Sequence, residues 1–300
     1  MSKRRSATRT LISDADLRHG RGRVLYHLVL IGMAVVFALV FFFPLYWMVT
    51  AGFKSAQELI RPTPTLFPQT WHPSTYVDAW NRLDLGHFLL NTAYYAVGGW
   101  LIQLIVDVAA AYALSKLRPI FGKVVLGMML ASLMLPAAAL LVPAYLTVVE
   151  VPLLHLNLLN TPWALWLPGA ANAFNIYILK QFFDQIPNDL LDAAQIDGAG
   201  RFRMLWNVVL PLSRPVLAAV SIFAIVGIWK DFLWPMLVLQ DPQRQTLSVA
   251  LSRLSAVSAS GITPNMMLAA LSMASVPMLV IFMIFQRRIL GGLAAGALKG

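Results

Sequence analysis

Residues 188–211 read NDLLDAAQIDGAGRFRMLWNVVLP, the longest polar interruption among the hydrophobic segments of the later part of the chain. Pro187, Asn188 and Asp189 form a helix-start signal, because proline is tolerated in the first turn and Asn and Asp can cap it. Gly198 interrupts the pattern that follows. Apolar residues then recur at i, i+3, i+4 and i+7, at Phe202, Leu205, Trp206 and Val209. We predict two short amphipathic helices broken at the glycine and ended by Leu210 and Pro211.

Small residues cluster around the predicted break. They are Ala193, Ala194, Gly198 and Ala199. Such a surface would let a partner protein approach the backbone closely. The periodicity fits a connector lying on the lipid surface equally well, so it leaves both interpretations open.

The composition is typical of a membrane protein. Of the 300 residues, 59% are hydrophobic and 12% are charged, which is too apolar for a soluble domain. The chain has no cysteine, so disulfides and cysteine-based metal sites are excluded. The apolar segment that follows the basic residues 1–23 is longer than the core of a secretory signal and has no A-x-A cleavage pattern. We therefore predict an uncleaved membrane span.

Six apolar segments are each close to the length of about 20 residues that a helix needs to cross a bilayer. We place them at 24–49, 88–115, 124–149, 161–183, 215–239 and 265–285. The predicted fold is an all-α polytopic membrane protein, with one transmembrane domain over 24–286. A basic tail at 1–23 precedes this domain, and a short tail at 287–300 follows it.

The distribution of positive charge predicts the orientation. If the N-terminus lies inside, 17 of the 23 Lys and Arg residues fall on inner segments, 5 on outer segments and Lys230 within a span. Inner loops of membrane proteins carry such an excess of cations. We therefore predict that both termini and residues 188–211 are cytoplasmic. The excess of cations on the inner segments also explains the net charge of +10, so this charge gives no reason to infer a nucleic-acid partner.

Polar residues within the predicted spans are candidates for function, since a charge at mid-bilayer costs roughly 2.5–3.5 kcal/mol on insertion scales. For Asp107 we expect a buried pairing role, because the neighbouring alanines 109–111 favour tight helix packing. Asn172 and Asn175 fit a solute pathway and interhelical hydrogen bonding equally well.

Lys230 and Asp231 are adjacent in the fifth predicted span, beside Trp229 and Trp234. On a helix their side chains would point about 100° apart, so they could not pair with each other as i,i+4 neighbours. We hypothesise that at least one of them faces a solute pathway, where aromatic faces suit a sugar ring. The alternative is an ion pair with another span.

The motifs of common enzymes are absent from the sequence. There is no G-x-x-x-x-G-K-[ST] phosphate loop. The five histidines are scattered without metal-ligand spacing, and no nucleophile and base can be paired from their order. The sequence therefore predicts neither catalysis nor a metal site.

Residues 188–211 resemble the coupling loop of ABC importer permeases, which docks into an ATPase subunit. The residues that carry this resemblance are Asp192, Ala193, Ala194, Asp197, Gly198, Ala199, Leu210 and Pro211. Asp192 stands where the family usually has Glu. Further motifs narrow the resemblance to the carbohydrate, maltose-permease-like branch: Tyr112–Ser115, Phe182-Phe183, Ile186-Pro187, Trp229 with 232–235, and 292–300. Lys230 departs from that branch, which usually has Asn there.

The resemblance implies a multi-pass permease subunit in the bacterial inner membrane that moves a sugar or related polar solute. Its implied partners are a homologous second permease, two ABC ATPase subunits and an extracytoplasmic solute-binding protein. ATP and Mg²⁺ would be bound by the ATPase subunits and no cofactor by this chain. The alternatives are an importer for another solute such as a glycerophosphodiester, an ion-gradient-driven secondary transporter, and a membrane scaffold that does not transport.

Overall fold

The computed structural model describes the backbone of residues 20–256 and 261–297 and the side chains of 24–255 and 261–286. Within these ranges the chain is built from helices joined by short turns. In chain order they are α1 Gly20–Gly52, α2 Ala56–Leu59, α3 Ser74–Arg82, α4 Leu85–Tyr112, α5 Gly122–Ser132, α6 Ala137–Val149, α7 Trp163–Trp166, α8 Ala173–Asp184, α9 Asn188–Ile196, α10 Arg201–Met204, α11 Arg214–Lys230, α12 Leu233–Val238, α13 Leu247–Ala256 and α14 Pro264–Ala297.

The described helices include three that are each long and apolar enough to cross a membrane: Val24–Gly52, Leu85–Leu117 and Pro264–Gln286. Two bent pairs also qualify if each pair forms one span. Gly122–Ser132 meets Ala137–Val149 at 110°, and Arg201–Leu212 meets Arg214–Lys230 at 84°. The predicted all-α, multi-pass membrane fold is therefore confirmed.

Three predicted spans are not the single helices that the sequence indicated. The segment 124–149 is divided between α5 and α6, which meet at 110°. The segment 161–183 is divided between α7 and α8, because Pro168 and Gly169 disfavour a continuous helix between them. The segment 215–239 breaks after Lys230, and α12 is separate. Six spans were predicted from hydropathy alone, which does not reveal such breaks.

Helix α4 lies at the centre of the fold and packs against α8 and α11. Their buried side chains, together with Leu191 of α9 and Val209, form the main core, which includes Val108, Ala111, Ile176, Leu179, Phe183 and Val220. Helix α7 approaches α4 at Gly98, where a Cβ atom would lie 2.2 Å from the Trp166 ring. The Trp166 indole N–H donates to the Tyr95 carbonyl at 3.0 Å. A glycine is therefore required at position 98.

A segment before α13 is fixed to the start of α4 by hydrogen bonds. The Asn91 side chain donates to the Gln243 carbonyl at 2.8 Å, and the Tyr95 hydroxyl donates to the Arg244 carbonyl at 2.9 Å. The Thr92 hydroxyl oxygen accepts the backbone N–H of Leu247 at 2.9 Å. These bonds position α13 beside α4.

The first and last helices run beyond the predicted boundaries of the transmembrane domain, 24–286. Residues 20–23 already belong to α1, whereas residues 1–19 of the basic tail lie outside the described part. The backbone of 287–297 continues α14 without a break, so this part of the predicted tail 287–300 is helical, and its last three residues lie outside the described part.

Candidate functional site: an exposed helical surface and two cavities

The predicted break in the segment 188–211 is present. Helix α9 ends before Gly198, which has φ +78°, a left-handed conformation that glycine adopts without strain. Helix α10 then begins at Arg201. The predicted cap is wrong: Asn188 is the first helical residue, and Pro187 precedes it without a side-chain capping bond. The end is also one residue later than predicted, since helix continues to Leu212.

The four apolar residues predicted to form one stripe do not bury together. Leu205 and Val209 pack into the main core. Phe202 and Trp206 point outward with 72% and 57% exposure, and their rings meet edge to face at 6.2 Å. Residues Leu205–Val209 form a π-helical turn. Its i to i+5 hydrogen bonds change the angular spacing that an α-helical pattern assumes.

The outward side of α9 and α10 forms an exposed apolar surface, which we call the docking surface. Its large exposed side chains are Leu190, Ile196, Phe202 and Trp206. Of the small and acidic residues predicted here, Asp192, Ala193, Asp197 and Gly198 are exposed, and Ala194 and Ala199 are half-buried. An exposed group of large apolar side chains on a rigid element is typical of a protein interaction site. Leu210 is half-buried and Pro211 is exposed at the edge of this surface.

Hydrogen bonds join the docking surface to the end of α4. The Tyr112 hydroxyl donates to the carbonyl of Arg201 at 3.0 Å. The Lys116 ammonium group donates to the carbonyl of Ile186 at 2.9 Å. Arg201 is the first residue of α10, and Ile186 lies two residues before α9, so these bonds fix the beginning of each helix against the end of α4.

Ser115 joins the turn that follows α4 to Asp184, the last residue of α8. Its side chain is 1% exposed, and its hydroxyl donates to Asp184 Oδ1 at 2.6 Å, while Lys180 donates to Asp184 Oδ2 at 2.5 Å. Burial would raise the pKa of Asp184, but these hydrogen bonds, with the charges of Lys180 and Lys116, hold that pKa below its usual value. We call Tyr112, Ser115, Lys116 and Asp184 the polar latch. The sequence analysis used Tyr112 and Ser115 only as part of a family motif and gave Lys116 and Asp184 no role.

The intramembrane carboxylate of Asp107 is 1% exposed, which confirms its predicted buried role. Its partner is not a cation. Asp107 Oδ1 accepts the backbone N–H of Asn172 at 2.9 Å, at the positive end of α8. The side chains of Asn175 and Gln103 also hydrogen-bond to this carboxylate. Asn175 is 3% exposed and therefore has the interhelical role. The Asn172 side chain caps α8 by accepting the Asn175 N–H at 3.1 Å.

Lys230 and Asp231 do not share a helix, so the predicted angle between them is wrong. Helix α11 ends at Lys230, and Asp231 is extended, with φ −65° and ψ 132°. The Asp231 carboxylate accepts hydrogen bonds from the backbone N–H groups of residues 232–234. These N–H groups at the start of α12 have no acceptors within that helix, and the Asp231 carboxylate serves as their acceptor.

Two cavities flank this break. The first, of about 540 Å³, is lined by residues that include Trp229, Lys230 and Phe232. The second, of about 400 Å³, is lined by residues that include Asp231 and Trp234. The Trp234 indole N–H donates to the Ala164 carbonyl at 2.9 Å, which fixes the ring beside the second cavity. Within the described residues, no group of three or more His, Asp or Glu side chains could hold a metal ion.

Residues 104–293 match the family described as binding-protein-dependent transport system inner membrane component. The chain belongs to this family. The match includes the docking surface, the polar latch and both charges at the end of α11. It confirms the predicted membrane subunit of a binding-protein-dependent ABC importer.

Similar proteins extend the comparison beyond the matched segment. The sulfoquinovosyl glycerol transport system permease protein of Agrobacterium fabrum is 33% identical over 86% of this chain and 89% of its own length. The diacetylchitobiose uptake system permease protein of Streptomyces coelicolor is 29% identical, over 89% of this chain and 87% of its own. A solved bacterial ABC transporter that imports the acidic polysaccharide alginate shares the fold, with a TM-score of 0.78 and 23% identity, over 93% of this chain and 99% of that chain.

Proposed function

We propose that this chain is the permease subunit of an ABC importer that brings a sugar or a related polar solute into a bacterial cell. Family membership supports transport, and the names of relatives similar over most of the chain support a carbohydrate substrate. One relative is a glycerol-3-phosphate transport system permease protein, so a phosphorylated solute is the second candidate. Family membership argues against an ion-gradient-driven transporter and a scaffold.

In this proposal the domain at 24–286 crosses the inner membrane six times, with both termini and the docking surface in the cytoplasm. The bent pair α5 with α6, and the broken pairs α7 with α8 and α11 with α12, would supply the spans that are not continuous helices. The excess of Lys and Arg on the inner segments supports this orientation. A basic tail at 1–23 and the end of the chain at 287–300 would both be cytoplasmic.

The docking surface would bind an ABC ATPase subunit. This is the assignment of Asp192, Ala193, Ala194, Asp197, Gly198, Ala199, Leu210 and Pro211 to ATPase coupling. Exposure of Phe202 and Trp206 beside the small residues supports it, because aromatic side chains commonly dominate protein interfaces. ATP and Mg²⁺ would bind to the two ATPase subunits, and this chain would have no enzymatic activity of its own.

The solute pathway would pass between this chain and a homologous second permease, after delivery by an extracytoplasmic solute-binding protein. Lining of the two cavities by Trp229, Lys230, Asp231 and Trp234 supports a place for them on that pathway. Asn172 is exposed and remains a candidate. Asn175 is the weakest, because its side chain is buried against Asp107.

The experiment compares Phe202→Ala with Phe121→Ala. Both phenylalanines are 72% exposed and both would be cytoplasmic, but Phe121 lies outside the docking surface, in the turn before α5. Truncating an aromatic anchor at an interface typically costs about 2 kcal/mol or more. We expect Phe202→Ala to reduce both the ATPase subunit that co-purifies with this chain and ATP-dependent uptake, while Phe121→Ala changes neither. Equal behaviour of the two variants would contradict the docking assignment.

A further inference from the structure

The two charges at the end of α11 belong to different cavities. Lys230 lines the first cavity, whereas Asp231 lines the second and is engaged by backbone N–H groups. Among the side chains described at 24–255 and 261–286, no carboxylate lies within ion-pair distance of the Lys230 ammonium group. Lys230 therefore brings a positive charge to the first cavity that Asp231 does not neutralise locally.

The opposite wall of the first cavity is a row of hydroxyl groups. Ser248, Ser252 and Ser255 follow each other at i, i+4 and i+7 on α13, so they lie on one helical face, and all three line the cavity. Ser248 donates to the Asp231 carbonyl at 3.2 Å, and Ser255 donates to the Ser252 carbonyl at 2.7 Å. A serine oxygen that donates its proton can still accept hydrogen bonds. The row can therefore receive hydroxyl groups of a solute.

The remaining lining of the first cavity is largely apolar. Trp229 and Phe232 lie next to Lys230, and Met267 and Leu271 of α14 close another side. Small-molecule sites typically combine apolar walls with a few polar groups that orient the ligand. Here the apolar walls fit the C–H faces of a sugar ring, and the polar groups are hydroxyls and one cation.

We propose that the first cavity binds a hydroxylated solute that carries a negative charge, such as a sugar carboxylate, phosphate or sulfate, with Lys230 as its counter-charge. This inference rests on the proposed importer function and specifies its substrate class. Lys230 is exposed at the cavity, so an anionic solute there gains a Coulomb attraction to the ammonium group that a neutral sugar lacks. A carboxylate of the second permease could instead neutralise Lys230, and the experiment separates these two outcomes.

The absence of cysteine from the chain permits a direct measurement of charge in the cavity. The Ser252→Cys variant is purified with its co-expressed partner subunits. It is treated with two thiol reagents, the anionic sulfonatoethyl methanethiosulfonate and the cationic trimethylammonioethyl methanethiosulfonate. Mass spectrometry of this chain gives the two labelling rates. We expect the ratio of the anionic to the cationic labelling rate to fall at least about threefold when Lys230→Gln is added, because a unit charge in the same cavity acts oppositely on the two reagents. At the exposed Ser74, a Ser74→Cys control should give a ratio that Lys230→Gln does not change.

Protection experiments identify the ligand class with the same Ser252→Cys complex. Glucuronate should slow labelling at lower concentration than glucose, and Lys230→Gln should remove this preference. An unchanged reagent ratio in Lys230→Gln would overturn the proposal, because Lys230 would then exert no charge effect at position 252. A carboxylate from another subunit that neutralises Lys230 would instead abolish the preference for glucuronate in the Ser252→Cys complex itself. Equal protection by both sugars, or no reaction with either reagent, would also overturn it. If ATP-dependent uptake still requires Phe202 in those cases, the importer function stands and only the anionic substrate class fails.

Discussion

Replacing Ser115 with alanine should loosen the connection between the end of α8 and the helical turn that follows α4. Ser115 is 1% exposed, and its hydroxyl donates to Asp184 Oδ1 at 2.6 Å. A hydrogen bond to a charged acceptor contributes about 1.5–3 kcal/mol. The Asp184 side chain is 34% exposed and keeps its bond from Lys180. Water and Lys180 therefore compensate for part of the lost hydrogen-bond energy. We expect Ser115→Ala to destabilise the protein by about 1–2 kcal/mol.

The assay is thermal unfolding of the purified protein in detergent, with Ser132→Ala as the matched control. Ser132 is exposed, and its hydroxyl donates only to the Met129 carbonyl three residues earlier at 2.7 Å. A loss of about 1–2 kcal/mol in a domain of this size lowers the unfolding temperature by about 2–6 °C. The control should change it by less than about 1 °C, since surface substitutions are usually worth under about 0.5 kcal/mol.

The loss of stability that Ser115→Ala causes, measured as the drop in unfolding temperature, should depend on pH. A carboxylate with a lowered pKa in the folded state adds stability above its unfolded pKa, near 3.9, and loses it as pH falls through the lower folded value. Ser115→Ala moves the pKa of Asp184 in the folded state upward. The stability difference between the variant and the original protein should therefore be largest at pH 7 and shrink below about pH 4. An unfolding temperature unaffected by Ser115→Ala, or a difference that grows on acidification, would refute this reasoning.

Two further pairs of substitutions test the contacts of α4 with α7 and α8. Gly98→Ala would place a methyl group 2.2 Å from the Trp166 ring, so we expect a loss of about 1–3 kcal/mol in thermal unfolding. Gly127→Ala, where nothing lies within 4 Å, should be neutral or slightly stabilising. Asp107→Asn keeps an oxygen for the Asn172 N–H and should retain near-normal yield of folded protein in size-exclusion chromatography, whereas Asp107→Leu leaves that N–H unpaired and should lower the yield. Equal yields of the two variants would contradict the capping role.

The sequence predicted those features that depend on local composition. The glycine break at Gly198 follows from a residue that tolerates the left-handed conformation, and the membrane class follows from hydropathy. The buried role of Asp107 followed from its small neighbours in a hydrophobic span. Each of these conclusions needs only a few consecutive residues.

Other features depend on contacts between distant segments, which a single sequence does not reveal. The end of α11 at Lys230 depends on Asp231 accepting backbone N–H groups of the next helix, although the surrounding hydropathy is continuous. The polar latch joins Ser115 to Asp184 across 69 positions. The burial of Asn175 likewise depends on the approach of α8 to α4, so its spacing from Asn172 left two roles open.

The central claim is that the docking surface binds the ATPase subunit and couples it to transport, and Ala193→Glu tests this most directly. Ala193 is exposed in α9, so a larger charged side chain there should not disturb the fold but should prevent close approach of a partner. The measurement is the ratio of ATPase subunit to this chain after affinity purification, together with ATP-dependent uptake at matched membrane expression. We predict a loss of at least about tenfold in both. An unchanged ratio with normal uptake would contradict the claim.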